Sequence, residues 1–204
     1  MANVNIQTYD DLVSNVVKYI KRQDLAVMIP VFIQFAEDYF DKCEELKDVV
    51  PRRTSFQVTP TQNVFPGPTD LKSPIQAYMG GVLIDYFPMG WDSQYAFGNI
   101  PQIGNGYQIL GNNISLSVPQ LGQIFWLDYY QILEGLSETN ESNWLLEDSP
   151  LIYLSGVLHE AFSYMRDAEK AQYWQAKRDT QLATYSNDEK RSQYPAGPLT
   201  IRAG

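Results

Sequence analysis

Apolar residues recur every three or four positions at both ends of the chain and alternate in short runs between them, which predicts helices, then strands, then helices. Leu12, Val16 and Ile20, with Val13 and Val17 beside them, make one helical stripe. Thr8 supplies a capping hydroxyl before it, and Asp10 and Asp11 suit the positive end of a helix dipole. Lys21 to Asp24 interrupts the stripe. A second helix is predicted from about Leu25 or Pro30 to Leu46 on the face Ile29, Phe32, Ile33, Ala36, Phe40 and Cys43, with Pro30 tolerable only in the first turn.

From Pro51 to about Tyr130 eight prolines exclude a long helix. The runs SFQVT (55–59), AYMGGVLIDYF (77–87), YQIL (107–110), ISLSV (114–118) and QIFWLDYY (123–130) read as strands, and YQILGNNISL reads as a hairpin whose Gly111, Asn112 and Asn113 accept positive φ. The connection PMGWDSQYAFGNIPQIGNG (88–106) is long, Gly-rich and aromatic, which makes it a candidate contact surface through Trp91, Tyr95, Phe97 and Ile103. Helical spacing returns with Leu151, Leu154, Leu158, Ala161, Met165 and Ala168, and a last helix is expected from about Glu169 to Tyr185, carrying Ala171, Trp174, Arg178 and Tyr185. The final stretch SNDEKRSQYPAGPLTIRAG has little to bury and is expected to stay extended until a partner orders it. The pattern therefore predicts an α+β chain.

Charge narrows the function. The 204 residues carry a formal net charge of −9, and the bases are scattered, with Arg52–Arg53 and Lys190–Arg191 the nearest approach to clusters. Such a chain is not built to grip nucleic acid by its phosphates. Cys43 is the only cysteine, so no intrachain disulfide is possible and a reducing compartment is expected. MANVNIQTYDD has no basic and apolar leader, and no apolar run approaches the length of a membrane span, so the expectation is a soluble protein made in the cytoplasm.

The single histidine lies in GVLHEAFS (156–163). A zinc-protease helix needs a second His four positions on, and that position is Ser163. His159 instead falls with Ser155, Ser163 and Arg166 on a polar helix face. There is no P-loop, no dinucleotide fingerprint and no nucleophile elbow. Glu37, Asp38 and Asp128 are the carboxylates an acid/base site would draw on, and each reads as a surface or capping residue. Trp126, Tyr129 and Tyr130 read as half-buried strand side chains or subunit contacts in preference to a sugar or base platform. No catalytic residue, cofactor site or metal ligand is assigned.

TYDDL (8–12), YIKRQDL (19–25), IPVFIQFAE (29–37), PTDL (68–71), YQILGNNISL, LDYYQIL (127–133) and NWLLEDSPLIYLSGVLHEA (143–161), with Asp167 and Trp174, follow one another in the order of a known family. In these stretches the chain resembles the head-to-tail adaptor, or connector, proteins of tailed bacteriophages. Ser155 stands where that family often has a second aromatic, and residues 88–106 match it poorly. The resemblance implies an α-helical bundle of N- and C-terminal helices (about 8–47 and 148–186) with an inserted antiparallel β region (about 53–131). Together these would form one adaptor domain over 1–187, followed by an extended C-terminal arm over 188–204. It further implies a structural virion protein in the neck between capsid and tail, assembled in the host cytoplasm. That protein forms a homo-oligomeric ring, usually of twelve copies, under the portal protein. Double-stranded DNA passes through the lumen without specific binding, and no membrane is involved. The arm would bind the portal through Tyr194, Pro198, Leu199, Ile201 and Arg202, and Trp91, Tyr95, Phe97 and Ile103 would meet a neighbouring subunit, tail or nozzle protein. Two other readings are another virion ring component, such as a stopper or tail-completion protein, and a small cytoplasmic enzyme with a carboxylate site.

Overall fold

A computed structural model describes residues 6–88, 105–117 and 122–193. They divide into two compact units: unit 1 takes the chain up to Arg52 and again from Leu133, and unit 2 takes Arg53–Ile132. Five α-helices lie among the described residues of unit 1 and seven strands among those of unit 2.

In unit 1, helix α1 (Tyr9–Ile20) begins where Thr8 Oγ1 accepts the Asp11 N–H at 3.2 Å, while the Asp11 carboxylate takes the Gln7 N–H at 3.1 Å. Its stripe Leu12, Val16 and Ile20 is buried. The helix stops because Lys21 turns left-handed, with φ 54°, and closes its N–H onto Val17 O at 3.0 Å. A 3₁₀ turn (Gln23–Met28) leads into α2 (Ile29–Lys42), which carries Pro30 in its first turn and buries Ile29, Phe32, Ile33, Ala36 and Phe40. The second helix is shorter than its sequence pattern suggests. Cys43 takes an extended conformation (φ −70°, ψ 142°), and Glu44–Leu46 forms a separate 3₁₀ turn that buries Leu46. Cys43 is half-buried at the helix end, with its thiol donating to Phe40 O at 3.4 Å.

The chain re-enters unit 1 at Leu133 and forms α3 (Trp144–Asp148), α4 (Pro150–Tyr164) and α5 (Ala168–Gln193). Asn143 caps α3 by accepting the Leu146 N–H at 3.0 Å. Helix α4 differs from the one-sided helix that its spacing predicts. Every residue from Ile152 to Leu158 is buried, Ser155 included, while Leu151 at one end of the expected stripe and Ala168 beyond the other are exposed. Helices α1, α2, α3 and α5 all pack against α4, so Ser155 and His159 turn toward neighbours while Ser163 stays exposed. The Ser155 hydroxyl lies 2.8 Å from Leu151 O and 2.9 Å from Gln181 Oε1. Gly156 is required for this packing, since a Cβ there would stand 2.5 Å from the Phe40 ring. Helix α5 runs eight residues past the Tyr185 end read from the sequence. Residues 186–193 contain no Gly or Pro, and Asp188 and Arg191 pair at 3.7 Å one turn apart, so the helix has no cause to stop there.

Unit 2 is one sheet in the order β1-β7-β3-β4-β5-β6-β2, formed by β1 (Arg53–Val58), β2 (Val64–Pro66), β3 (Leu71–Met79), β4 (Val82–Tyr86), β5 (Gly106–Leu110), β6 (Asn113–Leu116) and β7 (Phe125–Gln131). All pairs are antiparallel except β4 with β5, where Asp85 meets Gly106 and Tyr86 meets Tyr107 in parallel. The nineteen-residue connection 87–105 is long enough for the crossover that a parallel pair demands. Strand β3 runs through Pro74 and absorbs it in two register shifts, between Leu71/Ser73 and Pro74/Gln76, which is why the proline conceals half of this strand in the sequence. The predicted hairpin joins β5 to β6 through Gly111 at φ 59°. Phe65, Ala77, Met79, Tyr107, Phe125 and Leu127 are among the side chains on the buried face.

Candidate functional site

The contact residues Trp91, Tyr95, Phe97 and Ile103, and the arm residues Tyr194, Pro198, Leu199, Ile201 and Arg202, lie outside the described residues. The other candidates are placed as follows. His159 is one-fifth exposed and sits in the α4–α5 seam, with Nδ1 3.0 Å from Ala171 O and Nε2 3.8 Å from Glu160. It packs between helices and is more enclosed than the half-exposed position that the polar face suggests. Among the described residues no group of three or more His, Cys, Asp or Glu gathers to hold a metal. No helix among them is long and apolar enough to cross a membrane.

The carboxylates separate by role. Glu37 and Asp38 are consecutive on α2 and so point apart. Glu37 Oε1 accepts the Leu136 N–H at 2.7 Å and the Tyr153 hydroxyl at 3.0 Å. Burial pushes Glu37 above the usual carboxylate value, against those two hydrogen bonds, which favour the charged form. One turn on, Asp41 Oδ1 accepts the Leu133 N–H at 3.0 Å and pairs with Arg52. Arg52 is fully buried, donates to Leu46 O at 2.9 Å and lies 5.9 Å from the Trp144 ring centroid. Asp41 therefore holds both the residue where the chain leaves unit 1 and the residue where it returns. These acids fasten the fold, and nothing brings them to a cleft as a catalytic pair.

On the sheet, alternation divides the three aromatics of β7. Tyr129 is buried and donates its hydroxyl to Asp70 Oδ1 at 2.8 Å, whereas Trp126 and Tyr130 lie on the other face. Asp128 is occupied by Trp126 Nε1 at 2.6 Å and Gln76 Nε2 at 2.8 Å. The register aligns Gln57, Trp126, Tyr78 and Leu83 across four strands on this outer face. With Ile124 and the Gly80–Gly81 turn, Trp126 and Tyr78 border an open cleft of about 690 Å³ that is mainly apolar. Leu83 and Val82 near the hairpin tip are 60% and 61% exposed, which is a large apolar display for a sheet surface.

A second cleft of about 680 Å³ opens at one end of unit 1, between the C-terminus of α1 and the start of α5. Tyr19 stacks edge-on against Trp174 at 5.4 Å, and Tyr173 meets Trp174 at 5.3 Å. Cations surround the rings: Lys177 Nζ stands 4.7 Å from the Trp174 centroid, and Lys21, Arg22 and Lys170 line the rim. Arg22 is held by Asp24 and Lys170 by Asp167, each at 2.6 Å. The exposed Lys21 side chain has no ion pair or hydrogen bond among the described residues. Sequence pattern shows this place only as the interruption after Ile20, because the aromatics and cations come from segments 150 residues apart.

Both clefts are open and lined mainly by apolar and aromatic surface. Compared with known families, residues 7–202 match the family model described as SU10 adaptor protein. No curated protein matches the chain.

Proposed function

The chain belongs to the SU10 adaptor protein family, a phage adaptor family, and from that premise we propose that it is the head-to-tail adaptor of a tailed phage. In this reading it is a structural virion protein at the capsid–tail junction. It assembles as a ring, usually of twelve copies, beneath the portal protein, with the tail or nozzle proteins below and the ring lumen on the DNA path. The observation that carries the reading is the length of the match, which leaves only six residues before it and two after.

Electrostatics supports it. Between Lys72 and Arg166 the chain has nine Asp and Glu and not one Lys or Arg, so its whole net charge of −9 resides there, while 15 of the 24 acids balance 15 bases elsewhere. A wall of that composition does not release counterions from DNA and lets the duplex slide. The portal contact is assigned to the terminal residues, with Tyr194, Pro198, Leu199, Ile201 and Arg202 as anchors, and the subunit or tail contact to Trp91, Tyr95, Phe97 and Ile103.

Mass photometry of the purified chain, alone and with the portal protein of the same phage, tests the ring. A portal-bound species of fixed stoichiometry is expected, and a monomer indifferent to the portal overturns the reading. Removal of residues 194–204 leaves α5 whole, and it is expected to preserve the fold while abolishing portal binding. Undiminished binding by the shortened chain refutes the arm assignment.

A further inference from the structure

The aromatic and basic cleft at Tyr19, Lys21 and Trp174 has a complement on the same unit. The segment 134–148 carries Glu134, Glu138, Glu141, Glu147 and Asp148, all exposed, without a Lys or Arg. None of the five is in an ion pair among the described residues. Leu151, 45% exposed, follows on the first turn of α4 and adds an apolar side chain beside the acids.

The two features sit at opposite ends of unit 1. At the start of α1, Tyr9 donates its N–H to Glu141 O at 2.7 Å, and at its end stands Lys21. Twelve helical residues separate them, or about 18 Å. Helix α5 spans the same interval, with Trp174 against Tyr19 at one end and the Tyr185 hydroxyl 2.5 Å from Asp148 at the other. Screening falls off over about 8 Å at physiological ionic strength, so the ends do not neutralise one another within a copy.

We propose that the Tyr19–Lys21–Trp174 cleft of one copy receives the acidic 134–148 segment and Leu151 of the next. This is a heterologous contact, with different faces meeting, the type that closes into a ring when the rotation permits. Carboxylates meet Lys21, the cation that Lys21's own chain leaves unpaired, and Leu151 covers the exposed rings of Tyr19 and Tyr173 beside the buried Trp174, aromatic residue types that concentrate binding energy at interfaces. The left-handed conformation of Lys21 supports the assignment. Glycine would hold that backbone at less cost, yet the position carries a long cation aimed at the rim of a cleft.

The proposal deepens the ring reading and rests on it. The test mixes ¹⁴N- and ¹⁵N-labelled full-length chains at low salt, alone and on the portal protein, and couples amines to carboxylates with a zero-length carbodiimide. Mixed-isotope links from Lys21 or Lys170 to the acids of 134–148 are expected. Lys21→Glu, and separately Glu138→Lys with Glu141→Lys, should each weaken self-association about tenfold, and mixing the two reversed chains should restore it. Lys21→Gly keeps the fold, with an unchanged or higher melting temperature, and still loses the coupling. Rings that form at wild-type stoichiometry from both reversed variants, or links confined to other faces, overturn this interface and leave the ring standing. Failure of the unaltered chain to assemble on the portal removes the ring and this interface with it.

Discussion

Gly156→Ala measures how tightly the two central helices of unit 1 are locked. In an exposed helix the change would stabilise by about 0.8–1.0 kcal/mol, because glycine is the costlier helix former. At this site the new Cβ would meet Phe40 Cζ at 2.5 Å and two further ring carbons at 3.2 and 3.3 Å. Phe40 is fully buried and stacks edge-on against the buried Tyr153 at 5.4 Å, so the ring has nowhere to withdraw. Overpacking of this kind costs about 1–3 kcal/mol, and with the propensity gain set against it the expected net loss is about 1 kcal/mol. All α-helices among the described residues belong to unit 1, so circular dichroism at 222 nm follows its melting. The midpoint should fall by about 2–4 °C. Phe40→Leu should lower it too, and the double variant should lose less than the sum of the singles, because the smaller side chain admits the methyl. A higher midpoint for Gly156→Ala, or strict additivity in the cycle, refutes the argument that this glycine exists for the Phe40 ring.

Two other substitutions probe the buried polar residues. Asp41→Ala leaves the fully buried Arg52 guanidinium without its carboxylate; stranding a buried charge costs about 3–5 kcal/mol, and the partial exposure of Asp41 places the expected loss in urea unfolding of unit 1 near the lower figure. An unchanged midpoint would show that the carbonyls around Arg52 suffice. Glu37 has its folded-state value raised by burial, so the folded chain holds this proton more tightly than the unfolded one, and its contribution to stability is full in acid and declines as pH rises through that value. Glu37→Gln keeps an acceptor for Leu136 and Tyr153 without a charge to desolvate, and should flatten this part of the stability–pH curve; an unaltered slope above the ordinary carboxylate range contradicts the assignment.

Much of the architecture is legible in local chemistry. Thr8 before two aspartates marks the start of α1, Pro30 marks the first turn of α2, and Gly111–Asn112 marks a hairpin, since each depends on neighbours a few residues away. What sequence pattern misjudges depends on distant partners. On the α4 polar face Ser163 and Arg166 are exposed as the pattern suggests, whereas α5 covers Ser155 and His159 with Gln181 and Ala171, and no periodicity within α4 records that. The first half of β3 is concealed by Pro74, whose cost is met by bulges against β7. The end of α5 is misjudged at Tyr185 because the stretch after it has little to bury, yet no Gly or Pro stands in that stretch before Pro195. The cleft at Lys21 was least legible of all, because charge and aromaticity meet there only after α1 and α5 have packed.

The single carboxylate that fastens both stems of the insertion has a mechanical consequence. A force drawn through Arg53–Ile132 along the chain reaches unit 1 at Arg52 and at Leu133, and both are moored to Asp41 in the last turn of α2. The two stems share one anchorage, and a pull on one is met at the point where the other is tied. The load is thus delivered to the end of α2 through one carboxylate and not to the hydrophobic seams between helices.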